Sequence, residues 1–308
     1  MASEANILET YGDESLKEDV LGLIEILTAT ESSIHNMLGK TKAIETVHQT
    51  LTDTLDTVAS LATAENADYS NTALTTPTRL TNIVQIIAKK YEVTRTQQQV
   101  DHYHETNELA RQTEKALKDW HNSAELDLVR GSLVSGASGT APKMAGIVNA
   151  ISKSTNVTVH TSSVVFSASI LRGLMKDQWD DTNGDVATDV FVGSYISGEM
   201  DAFTNKTNVT SDGANLNQIV HVVDLFETGL GRVRKHNHRY IYQAADTTGN
   251  ILGINPDKLK VAYLQKPMID TGLSRKGDYD PRAVMGKFTL EVRNQDCNFY
   301  ASGLRDGS

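Results

Sequence analysis

The stretch TRTQQQVDHYHETNELARQTEKALKDWHNSAELDLVR, residues 94–130, contains neither Gly nor Pro and predicts one long helix. Thr94 or Thr96 can cap its start, and Gly131 provides its end. At a rise of about 1.5 Å per residue, such a helix is a rod of roughly 55 Å. That is longer than a compact domain of this size requires.

One face of this predicted helix is apolar. Its residues form a seven-residue series and a second series close to the same face: Tyr103, Ala110, Leu117 and Ala124, with Leu109, Ala116, Trp120 and Leu128. The pattern predicts that this face packs against a core.

The chain before the helix is rich in Thr, which occupies twelve of the forty-two positions from 41 to 82. Thr is β-branched and favours extended structure. Residues 79–93 predict one longer strand, and 64–72 predict a polar turn or loop. We expect an extended two-stranded excursion that needs a neighbour to lie on, because an isolated hairpin is marginally stable in water.

The first 31 residues form an acidic segment, with eight acids against the single base Lys17. Leu16, Val20, Leu23, Ile24 and Leu27 recur at helical spacing. The segment therefore predicts a short amphipathic helix in an N-terminal arm, which is either a flexible tail or a segment that orders against a partner.

The glycine-rich stretch 131–146 indicates a boundary after the helix, and mixed α/β structure is expected beyond it. The pattern predicts helices at 163–178 and 195–203, a buried strand at 189–192, and paired strands at 217–227 and 230–243 around Gly229. The closing part, 257–304, predicts β-structure again.

Composition restricts the function. The chain has 308 residues and a formal net charge of −10, which argues against specific nucleic-acid binding through phosphate contacts. Cys297 is the only cysteine, so it cannot form an intrachain disulfide and is expected to be buried or half-buried. The acidic start predicts no signal peptide, and no stretch approaches the length of a membrane span, so we expect a soluble protein made in a cytoplasm.

We find no motif for catalysis, cofactor binding or metal binding. The P-loop, the Gly-x-Gly-x-x-Gly, the His-Glu-x-x-His and the Gly-x-Ser-x-Gly patterns do not occur. His102 and His104 point apart on a helix and cannot chelate one ion. His236 and His238 share a face of a predicted strand, but the basic neighbours of that strand would repel a cation, so an acidic neighbour or a loose contact with nucleic acid is the better interpretation.

Two acidic patterns also give no evidence for a calcium site or a catalytic pair. Residues 181–185, Asp-Thr-Asn-Gly-Asp, lack the Gly and Glu that a calcium loop requires later in its pattern, and predict a turn. Asp224 and Glu227 are one of many pairs of acids expected by chance among thirty-nine. We therefore predict no catalytic, cofactor or metal residues.

The order of these segments resembles the major capsid proteins of tailed bacteriophages, which share the Hong Kong-type capsid fold. Eight stretches, in order, carry the resemblance: RLTNIVQIIAK (79–89), VTRTQ (93–97), ELARQTEK (108–115), ELD (125–127), VDLFETGLG (223–231), HRY (238–240), DKLKVAYL (257–264) and KFTLEV (287–292). The resemblance implies an α+β fold and a structural protein that is not an enzyme.

The resemblance also implies a division of the chain into five segments. These are an N-terminal arm (1–40), an E-loop β-hairpin (41–93), the spine helix of the P-domain (94–133), an A-domain (134–254) and the closing strands of the P-domain (255–308).

The function implied is self-assembly as hexamers and pentamers into an icosahedral head shell around double-stranded DNA. The protein would lie in the virion after assembly in the bacterial cytoplasm, with scaffolding, portal and decoration proteins as further candidate partners and no membrane contact. Two alternatives stay open: an encapsulin-like shell that encloses cargo protein, and a cytoplasmic α/β enzyme whose site the sequence does not reveal.

Overall fold

The computed structural model describes residues 33–55, 60, 62–65, 74–100, 107–151, 156–180, 185–202, 225–241, 243–244 and 248–305. Four sequence features lie outside these residues: the acidic helix predicted within 1–31, the pair His102 and His104, residues 181–184 of the acidic turn, and Asp224.

The described residues form an α+β fold, as predicted. The helices are α1 (Ser33–Met37), α2 (Arg95–Gln99), α3 (Glu108–Arg130), α4 (Ile147–Ile151), α5 (Ala168–Asp180) and α6 (Ser194–Ala202). The strands are β1 (Gly39–Lys42), β2 (Val47–Thr52), β3 (Thr78–Ile83), β4 (Gln85–Thr94), β5 (Val157–Val165), β6 (Asp189–Val192), β7 (Leu225–Thr228), β8 (Gly231–Asn237), β9 (Gln243–Ala244), β10 (Thr248–Ile254), β11 (Leu259–Asp270), β12 (Tyr279–Val292) and β13 (Phe299–Arg305). No helix among the described residues is long and apolar enough to span a membrane.

A four-stranded sheet in the order β1-β11-β12-β4 carries α3 on one face. Only β1 runs parallel to its neighbour; the other pairs are antiparallel. Trp120 of α3 is buried against Phe288 of β12, and its indole Nε1 donates to the carbonyl of Ile87 in β4 at 3.1 Å. Helix and sheet thus share one core, to which α1 and α4 also contribute.

A second sheet places β5, β13, β10, β6, β8 and β7 side by side, with β9 paired to β10. Its central strand β6 is buried at every position, which explains the apolar residues 190–192. The carboxylate of Asp189, at the start of the strand, is bonded to His236. Val190 and Val192 face a core formed with α5 and α6, whereas Phe191 faces the core that contains Trp120. The sheet is therefore covered on both faces, and the predicted strand at 189–192 is confirmed.

The prediction of one uninterrupted helix over 94–130 is wrong. Thr94 caps a helix as predicted, but that helix is the short α2, and Val100 after it has extended backbone angles of φ −80° and ψ 135°. A new helix begins at Asn107, whose side chain accepts a hydrogen bond from the backbone N–H of Ala110 at 3.1 Å. Asn is a strong N-cap residue, so this side chain allows a helix to start inside a stretch without Gly or Pro.

The end of the helix is as predicted, but for a different reason. Gly131 follows Arg130 with φ of −53°, not in the left-handed conformation. A Cβ at Gly131 would lie 2.8 Å from the carbonyl of Met144, and a Cβ at Gly146 would lie 2.6 Å from the backbone N of Gly131. Both glycines are needed here because two backbone segments pass in close contact.

The predicted buried face of α3 is only half right. Leu109, Ala116, Trp120 and Leu128 are buried, together with Ala124. Of the seven-residue series, however, Ala110 is exposed and Leu117 only packs against the edge of the core. The buried stripe runs from Leu109 in one step of seven residues and then in steps of four, whereas Ala110 and Leu117 lie beside it. Tyr103, the first member of the seven-residue series, lies outside the described residues.

Two element boundaries also differ from the prediction. The helix predicted at 163–178 is observed at Ala168–Asp180, because β5 continues to Val165 as an edge strand beside β13. The single strand predicted for 79–93 is two strands, β3 and β4, on either side of the buried Val84. The chain changes partner there, from β2 to β12, which sequence periodicity alone does not indicate.

The other helices and strands predicted within the described residues are present. A helix is found at Ser194–Ala202, and Leu225–Thr228 pairs with Gly231–Asn237 around Gly229. Most of the closing region is β-structure, in β11, β12 and β13. Residues 217–224 of the predicted strand pair lie outside the described residues.

Candidate assembly surface

The hairpin formed by β2 and β3 is fixed to the rest of the molecule at its base. His48 Nε2 hydrogen-bonds Glu291 Oε2 of β12 at 3.0 Å. The Asn82 amide donates to the carbonyls of Leu290 and Ala145 at 2.9 and 3.0 Å, and its oxygen accepts from the N–H of Ala145 at 2.9 Å. These bonds set the direction in which the hairpin leaves the four-stranded sheet.

The hairpin and the residues next to it expose large apolar side chains, at the base and beyond it. The exposed fractions are 80% for Ile44, 44% for Val47, 66% for Leu51, 97% for Leu55 and 90% for Leu74. Val47 and Leu51 share one face of β2, where exposure alternates with period two. Several exposed large apolar residues in one segment are typical of a surface that a partner covers.

A second feature is a buried carboxylate that joins three parts of the chain. Glu125 of α3 is fully buried. Its oxygens accept the backbone N–H groups of Ile34 and His35 at 2.7 and 2.9 Å, and His238 Nε2 lies 2.8 Å from Oε1. His238 Nδ1 accepts the N–H of Tyr240, so the neutral His238 ring carries its proton on Nε2 and donates it to Glu125.

The ring of His35 is buried beside this carboxylate. Its Nε2 shares a hydrogen bond of 2.5 Å with the hydroxyl of Tyr263 in β11. Burial raises the pKa of Tyr263 to about 12, so this hydroxyl keeps its proton at neutral pH. The His121 ring of α3 lies 5.9 Å from that of His35, centroid to centroid. We call His35, His121, Glu125 and His238 the junction cluster.

Sequence reasoning did not single out the junction cluster. A signal was available, because Glu125 lies between Ala124 and Leu128 on the buried stripe of α3, where an acid needs a partner. The partners themselves, His35 and His238, are 90 and 113 residues away in sequence.

The basic strand β8 faces acidic neighbours, as predicted. His236 Nε2 lies 2.8 Å from Asp189 of β6, and Lys235 Nζ lies 2.5 Å from Asp201 of α6. Arg232 pairs with Glu227 across the β7–β8 turn at 2.9 Å. No group of three potential metal ligands is found within the ranges that the structure describes.

Cys297 is buried, as predicted, and its Sγ accepts the backbone N–H of Asp185 at 3.2 Å. Burial raises the pKa of the Cys297 thiol, which keeps it in the unreactive protonated form.

Several solved structures share this architecture. The capsid of a native GTA particle superposes with a TM-score of 0.66 at 11% identity, covering 100% of both chains. The holo-SrpI encapsulin of Synechococcus elongatus PCC 7942 gives 0.63 at 9% identity over 98% of both chains. A chain of Microbacterium phage Oxtober96 gives 0.64 at 11% identity, covering 93% of this chain and 95% of that one. At such identities the similarity establishes the fold, which capsids and an encapsulin have in common.

Sequence comparison separates these possibilities. No curated protein matches the chain. A family model described as SU10 major capsid protein matches residues 4–305, nearly the whole length. The resemblance inferred from the ordered sequence stretches is thereby confirmed: the chain belongs to the SU10 major capsid protein family.

Proposed function

We propose that the chain assembles as hexamers and pentamers that close into the icosahedral head shell of a tailed phage around double-stranded DNA. Its family makes it a capsid protein that forms a shell, a structural protein and not an enzyme. Beyond the family's role, we propose the number of copies in each capsomer and the DNA content of the shell.

The exposed apolar hairpin carries this proposal. A closed shell requires heterologous contacts, in which one surface of a subunit meets a different surface of its neighbour. The β2–β3 hairpin is fixed at its base by His48 and Asn82 and exposes Leu51, Leu55 and Leu74 beyond it. We infer that these leucines are buried on an adjacent copy of the chain.

The energy of this contact suits assembly. Burying one leucine side chain contributes roughly 1.5–3 kcal/mol. A few such side chains per subunit give contacts that are individually reversible, whereas their sum over a closed shell is large. Errors during assembly can therefore be corrected before the shell closes.

The charge of the chain agrees with a wall that confines DNA without gripping it. The net charge is −10, and Arg232 and Lys235 of the basic strand are paired with acids. We therefore propose only non-specific proximity to packaged DNA.

The five segments predicted from the resemblance fit this role. We propose that 1–40 and 41–93 act as arm and E-loop between subunits, while 94–133, 134–254 and 255–308 build the P-domain and A-domain. Rigid domains of this kind can reorient about the hairpin and the arm if the shell expands. We also propose that the shell assembles in the bacterial cytoplasm. Its candidate partners there are scaffolding, portal and decoration proteins.

The test is to express the chain alone and with the double substitution Leu51→Ser and Leu55→Ser, then to measure particle size by light scattering and electron microscopy. The matched control is Gln49→Ser, which lies between Val47 and Leu51 on the same exposed face of β2. We expect shells, tubes or capsomers from the original chain and the control, and smaller species from the double variant.

The contents of purified shells distinguish the alternatives. Shells that package double-stranded DNA when produced with the packaging components support the head-shell function, whereas shells that enclose a specific co-purified protein support an encapsulin-like compartment. Normal shell yield from the double variant would contradict the role of the hairpin, and a monomer that binds a small ligand would favour an enzyme.

A further inference from the structure

We propose that the junction cluster is an acid-sensitive latch, which holds residues 33–38 on α3 at neutral pH and releases them when the pH falls. The contacts concerned lie within one subunit, and only the consequence of their release for shells rests on the proposed function.

The latch joins distant parts of the fold through one side chain. Glu125 accepts two N–H groups from the first turn of α1, those of Ile34 and His35, and also contacts His238, which follows β8. Tyr263 of β11 holds the ring of His35 from the other side. α1 is only five residues long, so its position depends on these contacts more than on its own helical stability.

The surroundings of the His35 ring offer only one group, Glu125, that favours an additional positive charge by its own charge. Glu125 is the one carboxylate that faces the His35 ring among the described residues, and it already receives three hydrogen bonds. The other charged or titratable groups facing the ring are Lys40 of β1, His121 of α3 and Tyr263 of β11, and none of them supplies a negative charge at neutral pH.

Nδ1 of His121 is buried without a hydrogen-bond partner among the described residues, and Nδ1 of His35 makes no hydrogen bond of ordinary geometry there, although the Asn36 side chain weakly favours the charged form of His35. A neutral ring tolerates this at a moderate cost. A protonated ring would place an unsolvated N–H⁺ at the same point, which is far less favourable. The rings of His35 and His121 are close enough that protonating one also opposes protonating the other.

His238 completes the cluster through both ring nitrogens. Its Nδ1 accepts the N–H of Tyr240, and its Nε2 lies 2.8 Å from Glu125, so the same carboxylate that holds α1 is also bonded to the chain after β8.

The direction of the pH effect follows from burial. Burial lowers the pKa of His35 and of His121 below the ordinary value of 6.5, outweighing the opposing attraction of Glu125. The docked state therefore binds fewer protons than the released state once the pH falls below about 6.5. Docking of α1 is fully stable above that pH and is progressively lost as the pH falls through the lowered pKa values.

Release would change how the chain before Ser33 is presented. Residues 33–38 connect residues 1–32 to β1, the edge strand of the four-stranded sheet. In a shell, undocking of 33–38 would change how this connection is held against α3.

The experiment is hydrogen–deuterium exchange on the soluble chain at pH 7.5 and pH 5.5, with protection expressed relative to an unstructured peptide at the same pH. The amides of Ile34 and His35 should lose protection by about tenfold or more, since one pKa unit corresponds to about tenfold. A peptide within β12 serves as the internal reference and should keep its protection.

Substitutions test whether the loss of protection in acid is caused by the His35 and His121 rings. His121→Gln should reduce the acid-induced loss at 33–38, and His35→Gln with His121→Gln should abolish it; the single variant remains informative if the double variant does not fold. His48→Gln, outside the cluster, should retain the full response.

Unchanged protection at pH 5.5, an equal loss in the double variant, or a loss shared by β12 would each overturn the latch. Because exchange is measured before assembly, a chain that forms no shells would contradict the proposed function without affecting this result.

Discussion

The indole of Trp120 lies directly on the backbone of Gly286. A Cβ built at Gly286 would be 2.6 Å from Cζ2 of Trp120 and 3.2 Å from Cε2. Trp120 is 1% exposed and its Nε1 is bonded to the carbonyl of Ile87, so the ring cannot easily move aside. This contact fixes the distance between α3 and the four-stranded sheet.

Gly286→Ala should therefore destabilise the protein by about 1–3 kcal/mol, the usual cost of overpacking a core. Urea unfolding followed by tryptophan fluorescence would measure it. The matched control is Gly198→Ala in α6, where an added Cβ meets nothing within 4 Å. Alanine favours a helix over glycine, so the control should be neutral or slightly stabilising. Equal effects at both positions would show that the contact with Trp120 is unimportant.

Removing the buried carboxylate should be more damaging. Glu125→Ala leaves the N–H groups of Ile34 and His35 and the His238 ring without their shared acceptor. We expect a loss of about 3–5 kcal/mol in the free energy of unfolding, as for other broken buried pairs. Glu114→Ala removes an exposed acid from the same helix and should have no measurable effect. A small effect of Glu125→Ala would mean that water replaces the lost acceptor.

Glu291 should make the hairpin base sensitive to acid. Burial alone would raise the pKa of Glu291, but hydrogen bonds and charge from Arg293 and His48 outweigh it and lower the pKa below 4.5. The stabilisation is therefore present above pH 4.5 and lost as the pH falls through the lowered value.

Glu291→Gln tests this directly. The variant should be less stable than the original chain at pH 7, and the difference should disappear below the pKa of Glu291, where both side chains are uncharged. Denaturant unfolding across a pH series would measure both curves. A difference that persists unchanged into acid would rule out ionisation as its cause.

Cys297 should be unreactive in the folded protein. Its thiol is buried and its pKa is raised, so the reactive thiolate is scarce. We expect labelling by a maleimide at pH 7.5 to be more than about 100-fold slower than after denaturation, since reaction requires local opening. Thr→Cys at the exposed position Thr54 gives a positive control for the reagent. Rapid labelling of Cys297 in the native chain would contradict its buried position.

Local patterns in the sequence predicted much of this fold. The apolar spacing around Leu109, Trp120 and Leu128 indicated a packed helix, and the run at 189–192 indicated a buried strand. The wrong predictions have two causes. Asn107 caps the start of α3 through a bond to Ala110, a local signal that the apolar periodicity does not contain. Val84 marks the point where the chain leaves β2 for the four-stranded sheet, and that choice depends on which surface is available to pack on.

The α+β class, the order of the segments and the capsid family could all be inferred from the sequence, because each depends on residues that are near one another in the chain or on their order. The contacts between distant groups required the folded chain: Trp120 packs on Gly286, His48 bonds Glu291, and Glu125 bonds His35 and His238. Hydrogen bonds and packing act over a few ångströms, whereas these partners lie between 90 and 243 residues apart.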